Sequence, residues 1–331
     1  MSLPTIAAQG ILFIGDPHVA ATPPGQRAEG YRDQVLAKLA ACLAHAREEN
    51  LVAVILGDLF HWPRENPNGL LVELMSLFGR FTAPCRAFVL VGNHDKYQAR
   101  FTDDVSLAVL RAAGSVTVLD EPGPAFVVDV RGHRALVGAS PDMTPLPESF
   151  DREAARAADG DAENGPDTVL WIAHHNIGFP DYEEKPVRLR EIPGVDWVVN
   201  GHIHRPQPTQ TRGATRWANP GGLVRMAFCR ANLERRPAAA EWRPGCAELA
   251  RWEVPVLPFA EVFPDMELPD EAEDAPDRES LFLKGLERLA WRRTQEGMGL
   301  KQFLNENLEP DAASTRLILD LYEEITHGDR T

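Results

Sequence analysis

Carboxylates, imidazoles and a carboxamide recur at five places in the chain, each just beyond an apolar run. They are Asp16 and His18, Asp58 and His61, Asn93 with His94 and Asp95, His174 with His175, and His202 with His204. Seven of the ten histidines stand at these places; His45, His133 and His327 do not. Taken singly, each group has a plain explanation, because an aspartate or histidine after a strand commonly holds a turn. Together they have the composition of a two-metal site. Two divalent ions about 3.5–4 Å apart need a shared anionic ligand and several neutral ones. Carboxylate, imidazole and amide oxygen without thiolate suit manganese, iron or zinc, and the donor set does not choose among them. His202 and His204, two apart on an extended segment, project to the same side and can serve neighbouring ions.

The elements that deliver these residues are legible from their apolar pattern. Short buried strands are expected over 10–15, 51–56, 87–91, 168–173 and 195–199, each ending in one of the five groups. Apolar residues at helical spacing (Val35, Leu36, Leu39, Leu43, Ala46) predict a helix over 31–48, with Cys42 on its buried face. Pro67 opens a second helix through Leu71, Leu74, Met75 and Phe78. Strand and helix in alternation, with reactive residues at the strand ends, predict an α/β sheet with a site along one edge. Further strands are expected near 116–119, 125–130, 134–137, 215–218 and 248–256, and a polar surface excursion over 140–167. The division that follows is a catalytic domain over 1–258, an acidic linker over 259–278 and a helical segment over 279–331. That segment carries three apolar stripes from Phe282 to Ile325.

With 331 residues and 44% hydrophobic side chains, the chain can bury a sizeable core. Its formal net charge of −15 is wrong for a free-standing, non-specific nucleic-acid binder. Arginine is nonetheless concentrated between residues 185 and 251, as solvated side chains or as a phosphate-binding face. The four cysteines are scattered without metal or disulfide spacing. No run reaches membrane-spanning length and no basic-then-apolar leader opens the chain, so a cytoplasmic protein without a membrane partner is expected. A glycine-rich phosphate loop and a Ser-His-Asp order are both absent from the sequence.

The ordered set of five groups resembles the calcineurin-like metallophosphoesterase superfamily over roughly residues 10 to 225. The resemblance implies a four-layer αββα sandwich, here with a C-terminal helical appendage, and two divalent metal ions, manganese foremost. It implies that Asp16, His18 and His204 hold one ion, that Asn93, His174 and His202 hold the other, and that Asp58 bridges both. His94 becomes the catalytic histidine that stabilises or protonates the leaving oxygen, with Asp95 orienting its ring. Gly57-Asp58-Leu59-Phe60-His61, Gly201-His202-Ile203-His204-Arg205-Pro206-Gln207 and Pro220-Gly221-Gly222-Leu223-Val224-Arg225 further resemble the SbcD-type DNA repair nucleases. That likeness gives His61 a role in handling the substrate phosphate and makes Arg205 and Arg225 substrate-binding candidates, while His175, beside the ligand His174, either stands behind the ligands or faces and binds the substrate. It also implies DNA as substrate, homodimer formation, and an SMC-like ATPase of the SbcC type docked by the C-terminal helices.

Two features depart from that pattern. The nucleases carry a substantial capping domain, whereas only a short β segment, the acidic linker and about fifty residues of expected helix remain here. The net charge is also wrong for gripping duplex DNA unaided, and both departures make sense if DNA is held mainly by a partner. Three functions therefore stand: a DNA nuclease working with an ATPase, a phosphodiesterase for nucleotides or other small phosphoesters, and a regulatory subunit that keeps its metals without turnover.

Overall fold

Strands that are apolar at every position must be covered on both faces, and two stacked sheets achieve this here. The computed structural model describes residues 3–24, 27, 30–154, 165–180, 187–226, 228, 232–233 and 235–263. The chain divides into Met1–Leu268 and Pro269–Thr331. The second unit, and with it the helices expected over 279–331, lies outside the described residues.

The strands in the first half are β1 (Thr5–Ala7), β2 (Gly10–Ile14), β3 (Leu51–Ile55), β4 (Phe88–Leu90), β5 (Thr117–Leu119), β6 (Gly123–Val130) and β7 (His133–Ser140). Those that follow are β8 (Thr168–Ala173), β9 (Trp197–Asn200), β10 (Gln207–Arg212), β11 (Thr215–Asn219), β12 (Ala238–Trp242) and β13 (Ala250–Glu253). One sheet has the order β13-β12-β2-β3-β4-β5 and the other β1-β6-β7-β8-β9-β11-β10. Helices α1 (Tyr31–Glu48), α2 (Asn68–Arg80) and α3 (Ser106–Ala112) pack on the outer face of the first.

The period of two along a strand decides which residue joins which core. In β2, Leu12 and Ile14 face α1, while Ile11 and Phe13 face the second sheet; Ala53 and Ile55 divide from Val52 and Val54 in the same way. Between the sheets Phe88 and Phe126 stack with ring centroids 3.9 Å apart. The far face of the second sheet carries Trp171, Val198 and Trp217, covered by Ile177, Phe179, Ile192 and Val195. The fold is the expected α/β sandwich of two sheets, and α1 occupies the span that its apolar spacing predicted. Among the described residues, the cover on the fourth side is built from loop residues.

β1, β10 and β12 were not expected from the sequence. β12 is Ala-Ala-Ala-Glu-Trp, with neither alternation nor β-branched residues, and it forms a strand because it lies antiparallel against β2. The expected linker also begins too early, because residues Phe259–Val262 form a helical turn and Val262 and Phe263 are buried. No described helix is long and apolar enough to cross a membrane.

β2, β3 and β4 run parallel, as do β8 and β9. The carboxyl ends of all five therefore deliver the five groups of reactive residues. Removing the inter-sheet ring by Phe126→Ala should cost about 3–5 kcal/mol, read as a lowered denaturant midpoint at unchanged slope.

Candidate metal centre

Asp58 leaves the end of β3 through Gly57, and its carboxylate is buried. Oδ1 accepts the backbone N–H of His94 at 2.8 Å. Oδ2 is left facing inward, 3.6 Å from His18 Nε2 and 3.3 Å from His174 Nε2. One oxygen thus stands between two groups of donors. On one side His18 Nε2 and His204 Nε2 approach to 2.9 Å, with Asp16 completing the group. On the other, Asn93 Oδ1 lies 3.1 Å from His174 Nε2 and 2.9 Å from His202 Nδ1.

Backbone geometry aims these side chains. Asp16, His18, Asp58 and His202 all have positive φ, between 36° and 69°, a conformation that costs a non-glycine residue of order 1–3 kcal/mol and is found where a site fixes it. Asp16 Oδ1 accepts the His202 N–H at 2.9 Å, which ties the β2 corner to the β9 corner. Two glycines allow the close approach. A Cβ on Gly57 would lie 2.2 Å from His174 Nδ1, and one on Gly92 would lie 2.2 Å from Asp58 Oδ1.

Neighbouring carbonyls fix the ring tautomers. His174 Nδ1–H donates to Leu56 O at 2.7 Å, so Nε2 is the atom turned to the cluster. His94 Nδ1–H donates to His61 O at 2.8 Å. The Tyr31 hydroxyl holds the His18 carbonyl at 2.7 Å. Asn219 Nδ2 holds the carbonyls of Ile203 and Arg205, bracketing His204.

Burial and mutual charge set the protonation of the cluster. Burial pushes the Asp58 carboxyl up, but the imidazoles of His174, His94 and His18 outweigh it and hold it well below the usual range. Burial raises Asp16 to about 7 against the pull of His174. His174 is itself opposed by burial, yet Asp58 and Asp16 raise it to about 10. Burial lowers His202 to about 4 and His204 to about 3. Near neutral pH a proton therefore rests on His174, Asp16 is partly protonated, and His202 and His204 are neutral.

This arrangement fits divalent cations. Asp16 Oδ2 is buried without a hydrogen-bond partner, and ring nitrogens converge in pairs, His18 Nε2 on His204 Nε2 at 2.9 Å and His202 Nδ1 on His174 Nε2 at 3.3 Å. Asp16, His18 and His204 can hold one ion, and Asp58, His174 and His202 another. All seven expected ligands come together here. His61 joins them, its ring 5.3 Å from that of His94 and its Nδ1 3.4 Å from His18 Nδ1.

Three expected roles need correction. Asp95 does not orient the His94 ring; its oxygens hold the backbone N–H groups of Phe60 and Gly92, and His61 O orients the ring instead. His175 does not face a substrate. It is buried, its Nδ1 turned back on the carbonyl of His174 and its backbone N–H bound to Asn200 Oδ1. Arg225 is buried too, its guanidinium on the carbonyls of Arg235 and Leu257. Arg205, next to His204, is exposed and remains available to a phosphate.

Metal binding must displace the proton from His174 and the one shared by Asp16. Affinity should therefore rise with pH through 7 towards 10 and fall below 7. Proton release at pH 7, read from the buffer dependence of the binding enthalpy, checks this; metal binding without proton release contradicts it. Gly57→Ala should displace the His174 ring and weaken metal binding by about 10- to 100-fold, measured by metal titration, with the circular dichroism spectrum kept.

No curated protein matches the chain. Among solved structures, the crystal structure of a 5'-nucleotidase precursor from Thermus thermophilus aligns at 16% identity with a TM-score of 0.43, over 86% of this chain. The chain spans only 59% of the length of that protein. A dimetal phosphatase from Danio rerio aligns at 13% identity with a TM-score of 0.42, over 75% of this chain and 99% of its own. Both likenesses are too distant to carry an argument about function. The family model for the calcineurin-like phosphoesterases, however, matches residues 10–206, more than half of the chain. The chain belongs to the calcineurin-like phosphoesterase family.

Proposed function

We propose that the protein is a two-metal phosphodiesterase that cleaves DNA and works with an SMC-like ATPase partner of the SbcC type. The observation that carries the reading is the position of His61. It borders the donor cluster, its ring faces that of His94, and its carbonyl sets the orientation of that ring. A residue so placed meets whatever phosphate His94 meets. The dependence on a partner follows from the charge: at −15 the chain cannot grip a polyanion by counterion release alone.

In this reading Asp16, His18, Asp58 and His204 would hold one divalent ion, and Asp58, Asn93, His174 and His202 the other, with manganese the expected metal. When bound, the ions would polarise the phosphoryl oxygens and lower the pKa of water for in-line attack. The chain's own residues do the rest. Asp58 is held by the His94 N–H through Oδ1, so only Oδ2 is shared between the two groups. His94, its Nδ1–H committed to the His61 carbonyl, presents Nε2 to the leaving oxygen and delivers a proton there. Exposed Arg205, next to His204 in the chain, would neutralise a non-bridging phosphate oxygen, and half-buried His61, its pKa lowered to about 4 chiefly by burial, would donate a hydrogen bond to one.

The test is cleavage of single- and double-stranded DNA with manganese. His94→Ala should lower the rate by about 10²- to 10⁴-fold with metal content intact, and Asp58→Asn should abolish cleavage together with metal binding. Wild-type protein that leaves all DNA untouched while hydrolysing a cyclic nucleotide or another small diester would overturn the nuclease reading.

A further inference from the structure

The residue following His61 is a tryptophan that the chemistry above does not use. Trp62 is 53% exposed, which is unusual for the largest aromatic side chain. Its indole stands edge-on to the His61 imidazole with ring centroids 4.5 Å apart. Through His61 it is one step removed from His94 and His18.

The segment that carries it is held firmly. The Trp62 carbonyl accepts Asn66 Nδ2 at 2.8 Å, and the same Nδ2 reaches Ser106 Oγ. The Pro63 carbonyl accepts the Ser106 N–H at 2.7 Å. Pro63 also restricts the backbone of Trp62 to extended conformations. Two residues on, Arg64 lies over the ring of the partly exposed Tyr97 at 4.0 Å and pairs with Asp104. The exposed ring thus sits on an anchored segment beside the reactive cluster.

We propose that Trp62 is a stacking platform for an unpaired nucleobase of the substrate. The inference rests on the nucleic-acid reading of the site and narrows it to strands whose base beside the attacked phosphodiester is free to leave a duplex. Three observations carry it. The platform adjoins the residue that meets the phosphate, as a base adjoins its own phosphate. It is rigid, so no ordering is required when a base lands on it. The chain is acidic overall, with a net charge of −15, and stacking adds affinity that is indifferent to charge and to base identity.

The experiment compares an oligothymidylate with an abasic strand of the same length, in manganese, for wild type, Trp62→Ala and Trp62→Phe. The wild-type preference in kcat/KM for the base-bearing strand should be about 5- to 150-fold, the range expected for one base stack. Trp62→Ala should bring the ratio near one, mainly through KM, and Trp62→Phe should restore much of it. An undiminished ratio in Trp62→Ala overturns the proposal. If no oligonucleotide is cut while an aryl diester is, the nuclease reading has failed, and tryptophan fluorescence then decides the fate of the platform. Saturable quenching by oligothymidylate that is lost in Trp62→Phe supports it, and equal quenching in both proteins overturns it.

Discussion

The structure turns on one buried oxygen. Asp58 Oδ2 lies 3.3 Å from a nitrogen of His174 and 3.6 Å from one of His18, and the residue is only 2% exposed. A buried carboxylate ringed by imidazoles is tolerable only if positive charge is shared among them. Part of that charge is the proton that Asp58 and Asp16 hold on His174. The proton is a weak substitute for two divalent cations, and the same geometry that traps it disposes the site to exchange it for them. The left-handed backbone at Asp16, His18, Asp58 and His202 follows from the same demand, since each corner must turn its side chain inward within a single residue.

Much of this was legible in the residues. Asp16, Asp58, Asn93, His174 and His202 could be placed because each follows a strand whose apolar run has no other reading, and the carboxyl ends of parallel strands share an edge. Roles that depend on backbone atoms were not legible. The group that orients His94 is the carbonyl of His61, and a carbonyl leaves no mark in a sequence. The resemblance made Asp95 the orienting partner, but here the turn sends the two adjacent side chains to different neighbours. β12 was missed for a different reason: three alanines carry no alternation, and only the open flank of β2 makes them a strand.

Of the arginines concentrated between residues 185 and 251, Arg188, Arg190, Arg205, Arg212, Arg236 and Arg251 are exposed, as solvated side chains are, whereas Arg225 and Arg235 turn inward. Arg225 bonds the carbonyls of Arg235 and Leu257, Arg235 bonds those of Gly222 and Val224, and Arg27 reaches back to the carbonyl of Arg225. These guanidinium groups fasten the loop through Gly222 and Leu223, whose own N–H groups bond the carbonyls of His204 and Gly15. Lys38, pushed down to about 7 by burial and by Arg27 and Arg225, lies in the same layer. Arg225, Arg235, Arg27 and Lys38 thus support from behind the loop that packs against His204.

The place of β12 has a practical meaning for anyone dissecting the chain. The region that defines the family ends at residue 206, yet β2, the strand that delivers Asp16, is flanked on one side by β12 alone. Ala240, Glu241 and Trp242 pair with Phe13, Leu12 and Ile11. A fragment trimmed to the family boundaries would bare that flank, a row of unpaired peptide groups beside an apolar ribbon, which is the surface on which chains recruit one another into aggregates. The smallest piece fit for crystallisation or for transplanting into another protein must therefore reach past Glu253, well beyond the last metal-facing histidine.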